Sequence, residues 1–443
     1  MPANSPDAVP HFALSLRLNE HDTPSGSTRQ GEAMGQELTR QQQFLKTHAY
    51  SVGAMRELAR RRLPRAVFDF VDGGAEDEVT LQRNEAAFRD IALLPHPLQG
   101  TTTRDQSVEL FGRRLAGPVL IGPTGLTGML WPRGEIASAS AATAAGTIFT
   151  MSHGSTVRIE DLAAAVPGNN LWMQVFPYKD RGLTENFVSR AHEANYRALV
   201  VTIDNQVLGQ RERDLRNGFT VPPRFEFGSL INMAFHFRWL LRMAQAPKLS
   251  MANYEREGDT GVFSIGSRIG GWMDPSASWK EIEWLRSYWK RPLLLKGILN
   301  PEEARRAMAL GVDGLIVSNH GGRQLDVVPA SLKALPAVVD AVAGKIPVLL
   351  DGGVRRGGDV VKALALGATA CLIGRPQLWG VAVAGEDGVA RILEIYRTEI
   401  DRVMALCGWD SLKAIDRSVI FDADARQESV LGAVGRKLTS ILK

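Results

Sequence analysis

The segment Ser318-Asn319-His320-Gly321-Gly322-Arg323-Gln324 sets an imidazole and a guanidinium close together, separated by two glycines. An imidazole titrates near neutrality and can serve as a general base. A guanidinium can fork onto a carboxylate. A solitary histidine is more often a satisfied structural residue, which is the reading preferred for His96 and His192. His320 differs, because Lys296, Asp204 and the His320–Arg323 pair each follow a short apolar run. A fold that aligns those runs brings the four side chains to one mouth. Two more segments, Asp351-Gly352-Gly353-Val354-Arg355-Arg356-Gly357-Gly358 and Gly374-Arg375, combine glycine with arginine. Glycines let backbone N–H groups approach a phosphate, and a following helix N-terminus adds a favourable dipole. The bland alternative is a pair of tight turns with incidental arginines.

The elements that must position these residues are short and apolar. Beyond residue 115 the runs are Val119–Ile121, Ile148–Met151, Leu171–Val175, Ala198–Ile203, Leu293–Leu295, Gly314–Val317, Val348–Leu350 and Ala370–Ile373. Each is followed by a polar or glycine-rich set and then a helical segment. Near-continuous apolar strands alternating with helices indicate a parallel sheet covered on its outer face. Eight of them favour an α/β fold closed as a (β/α)8 TIM barrel, whose chemistry sits where strands end. Those ends carry Pro123-Thr124-Gly125, Ser152, Gln174, Thr202 with Asp204, Lys296, His320 with Arg323, Asp351-Gly352-Gly353 and Gly374-Arg375. In such a barrel the two glycine–arginine loops are neighbours, which favours a phosphate site there. The spacing breaks once, after the fourth run, and implies a long insertion at about 212–275. Residues 1–47, rich in polar residues and proline, read as a flexible N-terminal extension to a barrel spanning 48–443.

Composition narrows the classes. A chain of 443 residues that is 44% hydrophobic and 23% charged has the makeup of a globular protein with a large core. The formal charge of +4 is spread along the sequence, so nucleic-acid binding gains little support. Two cysteines, Cys371 and Cys407, make neither a disulfide framework nor a metal site, and no metal is expected. No signal-peptide pattern and no charge-free run of membrane-spanning length is evident, so the expected location is cytoplasmic.

The string Ser318–Asp326 (SNHGGRQLD) strongly resembles the signature of the FMN-dependent 2-hydroxy acid oxidase and dehydrogenase family. The resemblance runs from Leu63 to Ile420 and includes LPRAVFDFVDGGAEDE, LGQRERD, LLKG, DGGVRRGGDVVKALALGA and IGRP. Pro118 to Glu135 is most similar to the mandelate and lactate dehydrogenase branch. The resemblance implies an FMN enzyme that oxidises an L-2-hydroxy acid to a 2-keto acid. It implies His320 as base, Asp204 as the carboxylate steadying the imidazolium, and Lys296 beside the flavin. It implies Arg323 and Arg211 as the carboxylate-binding pair. Flavin-ring contacts would come from Pro123, Thr124, Gly125, Ser152, Gln174 and Thr202. Ser318, Asp351, Gly353, Arg355, Gly374 and Arg375 complete the implied cofactor set. A homotetramer is also implied, with a quinone or oxygen as electron acceptor; glycine at position 125 favours a dehydrogenase using a quinone-like carrier.

The chain departs from the family pattern at Phe70 and Phe176, where tyrosines are usual, and Gly154 stands where oxidases often carry a bulky residue. Either the two rings simply pack, or the substrate is larger or presents its carboxylate differently. An amine or a modified metabolite or peptide is the alternative substrate class; a non-catalytic flavin-binding protein is a further rival, disfavoured by the intact His320, Arg323, Lys296 and Asp204 set. Within the insertion, Met233, Phe237, Leu240, Leu241 and Ala244 recur at helical spacing, opposite Arg238, Arg242 and Gln245. Such a helix, at about 230–246, suits either a lid or oligomer contact or peripheral attachment to the inner face of a membrane. Phe235 and Trp239 blur its division into two faces.

Overall fold

A computed structural model of the chain describes residues 38–166, 168, 170–218, 227–254 and 270–421. The strands β1 (Val119–Ile121), β2 (Phe149–Ser152), β3 (Leu171–Val175) and β4 (Ala198–Thr202) are followed by β5 (Leu293–Ile298), β6 (Gly314–Val317), β7 (Val348–Leu350) and β8 (Ala370–Ile373). All eight pair in parallel and close into a barrel, with β8 joined to β1 in the register Cys371↔Val119. The eightfold α/β expectation holds. These strands read as unbroken apolar runs because both faces are covered: every residue of β3 and of β4 is buried.

Alternate residues divide the core in two. Leu120, Trp172, Val200, Leu294, Ile316 and Leu349 point inward and fill the lower barrel. The antiparallel hairpin Val108–Leu110/Arg113–Leu115 closes that end with Leu110 and Leu115. Ile121, Met173, Leu199, Leu295 and Val317 face outward into the layer shared with the helices. The bottom is therefore plugged, and only the carboxyl ends of the strands can hold a ligand.

Helix Arg40–His48 lies in residues assigned above to the flexible extension, so that boundary moves earlier. Thr39 and Gln42 form a capping box, Leu45 is buried, and Gln41 and Gln42 both donate to Asp387. Polar composition concealed a helix start that the cap encodes. Residues 1–37 of the expected extension lie outside the described residues.

Between β4 and β5 run helices Glu212–Arg216, Phe227–Phe235, Phe237–Ala244 and Trp279–Tyr288. Trp239, which blurred the amphipathic reading, turns inward and donates from Nε1 to the Met129 carbonyl (3.0 Å). Arg242 stacks on Trp131, 3.9 Å from the ring centroid. With those two anchored, Phe227, Leu230, Phe235, Phe237 and Leu241 are left exposed to solvent.

Candidate active site

At the open end, the ends of β4, β5 and β6 bring Asp204, Lys296 and His320 together. A bulge at Gly297 shifts the β5–β6 register beyond Lys296. Gly297 has φ +108°, and a Cβ there would lie 2.8 Å from the Asp204 side chain, so only glycine lets that carboxylate come so close. His320 leaves β6 in the left-handed region, φ 58°, and its backbone N–H donates to Ser318 Oγ (3.0 Å). Its Nδ1 is 3.0 Å from Asp204 Oδ1. Asp204 accepts there, which fixes the proton on Nδ1 and leaves the Nε2 lone pair free to act as a base. Burial lowers the proton affinity of His320; Asp204 opposes this, while Lys296 and Arg211 reinforce it, and the net shift is downward. The imidazole is thus neutral at pH 7, the form a base requires. Asp204 is penalised by burial, yet His320 and Lys296 hold its carboxyl below the usual range.

Lys296 is buried, pairs with Asp351 Oδ2 (3.0 Å) and donates to Ser318 Oγ (2.9 Å). Burial works against its charge, but Asp351 and Asp204 outweigh that and keep it an ammonium. Ser318, expected among the cofactor contacts, is fully buried and outside the cavity lining. Its hydroxyl oxygen accepts from Lys296 and His320, so it positions those two residues.

A loop from the N-terminal helices organises the arginines. Gly73, just beyond helix Arg65–Asp72, offers its carbonyl to Arg323 Nη1 (2.8 Å) and Arg375 Nη2 (2.7 Å). Arg375 also donates to the carbonyls of Asp72 (3.1 Å) and Gly321 (2.9 Å). The Ala75 N–H donates to the Gly322 carbonyl (2.8 Å), tying this loop to the one that carries His320. Arg323 lies over the Phe70 ring, 5.5 Å from its centroid, so the ring stacks on the cation where a hydroxyl was usual. Arg211 is half-buried, and its Nε, itself buried, has no hydrogen-bond partner among the described residues. Burial and the neighbouring Arg211 and Arg375 push Arg323 well below the ordinary arginine range. Two guanidiniums confined together with an unmade hydrogen bond call for an anion between them.

These groups surround one cavity of about 720 Å³, within the size range of small-molecule sites. Its lining includes His320, Lys296, Arg323, Arg211, Phe70, Phe176 and Gly154. It also includes Pro123, Thr124, Gly125, Ser152, Gln174 and Thr202, and on the far side Asp351, Gly353, Arg355, Gly374 and Arg375. Asp204 stands behind His320, outside this lining. The residues fit FMN on three counts. Thr202 Oγ1 and Asp351 Oδ1 are buried without partners among the described residues, as groups awaiting a polar ligand are. A Cβ added at Gly374 would meet nothing nearer than 3.7 Å, so the cradle there is open. Gly374 begins helix Arg375–Cys407, whose N-terminus has no side-chain cap and can receive a phosphate.

A model of the FMN-dependent dehydrogenase family matches residues 59–422. The chain belongs to this family. Glycolate oxidase 1 of Oryza sativa subsp. indica is 42% identical over 368 residues, 83% of this chain and 94% of that protein. A 2-hydroxyacid oxidase of Dictyostelium discoideum is 38% identical, over 84% of this chain and 90% of the relative. Among solved structures, a monotopic membrane protein, (S)-mandelate dehydrogenase, superposes with a TM-score of 0.81 at 38% identity, covering 84% of this chain and 99% of that one. This FMN-dependent enzyme therefore carries FMN as its cofactor.

Family motifs did not point to several groups at the same mouth. His153, Asp214, Met251 and Met273 line the cavity. Asp214 is raised by burial, with Arg323 and Arg211 pulling the other way. Its place three residues after Arg211 in the RERD string was a usable signal; His153 and the two methionines had none.

Proposed function

We propose that this FMN-dependent enzyme oxidises an L-2-hydroxy acid to the 2-keto acid with His320 as the base. One observation carries the reading: a neutral His320, held by Asp204, opens onto the same cavity as the Arg211–Arg323 pair. The guanidiniums would hold the substrate carboxylate, and His320 Nε2 would take a proton from the substrate. Asp204, hydrogen-bonded at Nδ1, would stabilise the imidazolium that results. Bound FMN supplies the two-electron acceptor. Thr202, Gln174, Asp351 and the Gly374–Arg375 turn would hold it, with Lys296 placing a fixed positive charge at its edge. Mixing the holoenzyme anaerobically with glycolate, lactate, mandelate and larger 2-hydroxy acids tests this. At least one should bleach the flavin absorbance, and His320→Ala should slow bleaching at least a hundredfold; no bleaching by any of them removes the reading.

A substrate outside the simple hydroxy acids remains a second reading, favoured by Phe70, which gives Arg323 a ring face in place of a hydroxyl. Electron delivery to a membrane quinone is supported by the exposed apolar side chains of helices Phe227–Phe235 and Phe237–Ala244. No described helix is long and apolar enough to cross a membrane, so attachment would be peripheral, on the inner face. Co-sedimentation with anionic liposomes, lost when Phe235, Phe237 and Leu241 become serine, would support it. Assembly as a tetramer is read out by light scattering.

A further inference from the structure

The side wall of the cavity next to Gly154 holds a hydrogen-bonded group that the reaction above does not use. His153 follows β2 and is buried, with its ring 4.3 Å from that of Phe176. Its Nδ1 bonds to the hydroxyl of Tyr254 and lies 3.1 Å from that of Tyr178, and the two hydroxyls bond to each other. Tyr254 comes from the returning end of the long insertion. That end is clamped to the β2 loop by Asn253, which donates to the His153 and Val157 carbonyls and accepts from the Ile159 N–H. Tyr254 is also stacked on Trp272 at 5.3 Å. The placement of His153 is thus fixed from three directions.

Its tautomer follows from its partners. Burial raises both phenols, Tyr178 and Tyr254, so each keeps its proton and can donate. Tyr178 can donate to Tyr254 and Tyr254 to Nδ1, which makes Nδ1 an acceptor and places the ring proton on Nε2. Burial, with the nearby His320, lowers His153 to about 3, so the ring stays neutral. Nε2–H makes no hydrogen bond to a described residue, and His153 lines the cavity beside Phe176, Met251 and Met273. A Cβ at Gly154 would meet only Ser152 Oγ at 3.7 Å and Gly125 Cα at 3.9 Å, so the missing side chain leaves room beside the donor.

We infer that His153 is a specificity-determining residue: its Nε2–H receives an oxygen acceptor carried on the 2-substituent of the substrate. The preferred substrate is then a bulky 2-hydroxy acid with a hydroxyl, carbonyl or ether oxygen on that substituent, and this rests on the hydroxy-acid reading above. A plain hydrocarbon substituent leaves the N–H unpaired against an apolar wall, and the site discriminates against it.

The test uses the flavin-loaded full chain with two readouts. Binding of phenylglyoxylate and its ortho-, meta- and para-hydroxyl derivatives, which are 2-keto acids, is followed by the shift of the flavin spectrum. Oxidation of the matching mandelates gives kcat/KM. The wild type should prefer at least one hydroxylated member by about 10- to 100-fold in both. His153→Phe should bring that ratio to within about threefold of one, and His153→Gln, which keeps a donor, should retain part of it. Equal binding of all members by the wild type overturns the inference even if both variants fail to fold. A preference unchanged in His153→Phe assigns the residue to packing alone and also overturns it. Bleaching by no member, including the unsubstituted one, would instead bring down the hydroxy-acid reading, and this inference with it.

Discussion

Replacing Asp204 by asparagine removes a charge while keeping an oxygen that can accept from His320 Nδ1. The separation of 3.0 Å between Nδ1 and Oδ1 puts the charge centres about 4 Å apart in the protonated state. At an effective dielectric of about 20, that attraction is worth roughly 4 kcal/mol. It acts only when His320 carries the substrate proton, since a neutral imidazole has no charge for it to stabilise. The substitution should therefore leave 2-keto acid binding within about threefold. It should slow anaerobic flavin bleaching by about 10²–10³, allowing for the retained hydrogen bond. The sign of the pH effect follows too. His320 already lies below the ordinary histidine value, and loss of Asp204 moves it lower, so the acid limb of the bleaching rate shifts to lower pH. Stopped-flow traces across pH 4.5 to 8 measure rate and limb together. A rate within tenfold of wild type, or an acid limb that stays in place, would refute the coupling argued from this geometry.

Three further outcomes follow from named contacts. Gly154→Leu has an unstrained backbone and clear space at Cβ, so it should fold normally and fill the cavity, lowering kcat/KM for mandelate more than tenfold relative to glycolate. Gly353→Ala would put a Cβ 2.2 Å from the Asn84 carbonyl at φ +85°, at a cost of about 1–3 kcal/mol or more; lower Tm and a flavin-to-protein ratio below one are expected. His153, lowered to about 3 by burial, contributes stability that is fully present above about 6.5 and is lost as pH falls toward about 3, because the unfolded chain takes up the proton first. Urea midpoints should drop between pH 7 and 4.5, by about a few kcal/mol in stability, and His153→Phe should flatten that slope.

Much of this was legible in the sequence for a physical reason. Strands buried on both faces are apolar along most of their length, so Leu171–Val175 and Gly314–Val317 announce themselves, and the polar residues toward their ends mark the mouth. What stayed hidden depends on atoms that residue type does not specify. Arg375 reads as a phosphate ligand, yet three of its N–H groups go to the carbonyls of Asp72, Gly73 and Gly321. A carbonyl acceptor looks the same on every residue. Ser318 reads as a cofactor contact from its motif, whereas its hydroxyl is buried and takes the hydrogen bonds of Lys296 and His320. The His153–Tyr178–Tyr254 group joins two strand loops to an insertion about a hundred residues away, and no local pattern announces such a meeting.

The shared Gly73 carbonyl has a consequence for how this protein can be divided. The eight-stranded ring cannot be treated as a self-sufficient chassis onto which any leading segment may be grafted. Two of its arginines take their orientation from a peptide unit that precedes the first barrel strand by more than forty residues. Hybrids between relatives should therefore inherit that stretch and the loops after the sixth and eighth strands from a single parent. Exchanging one without the other would separate a pair of guanidiniums from the oxygen that aims them.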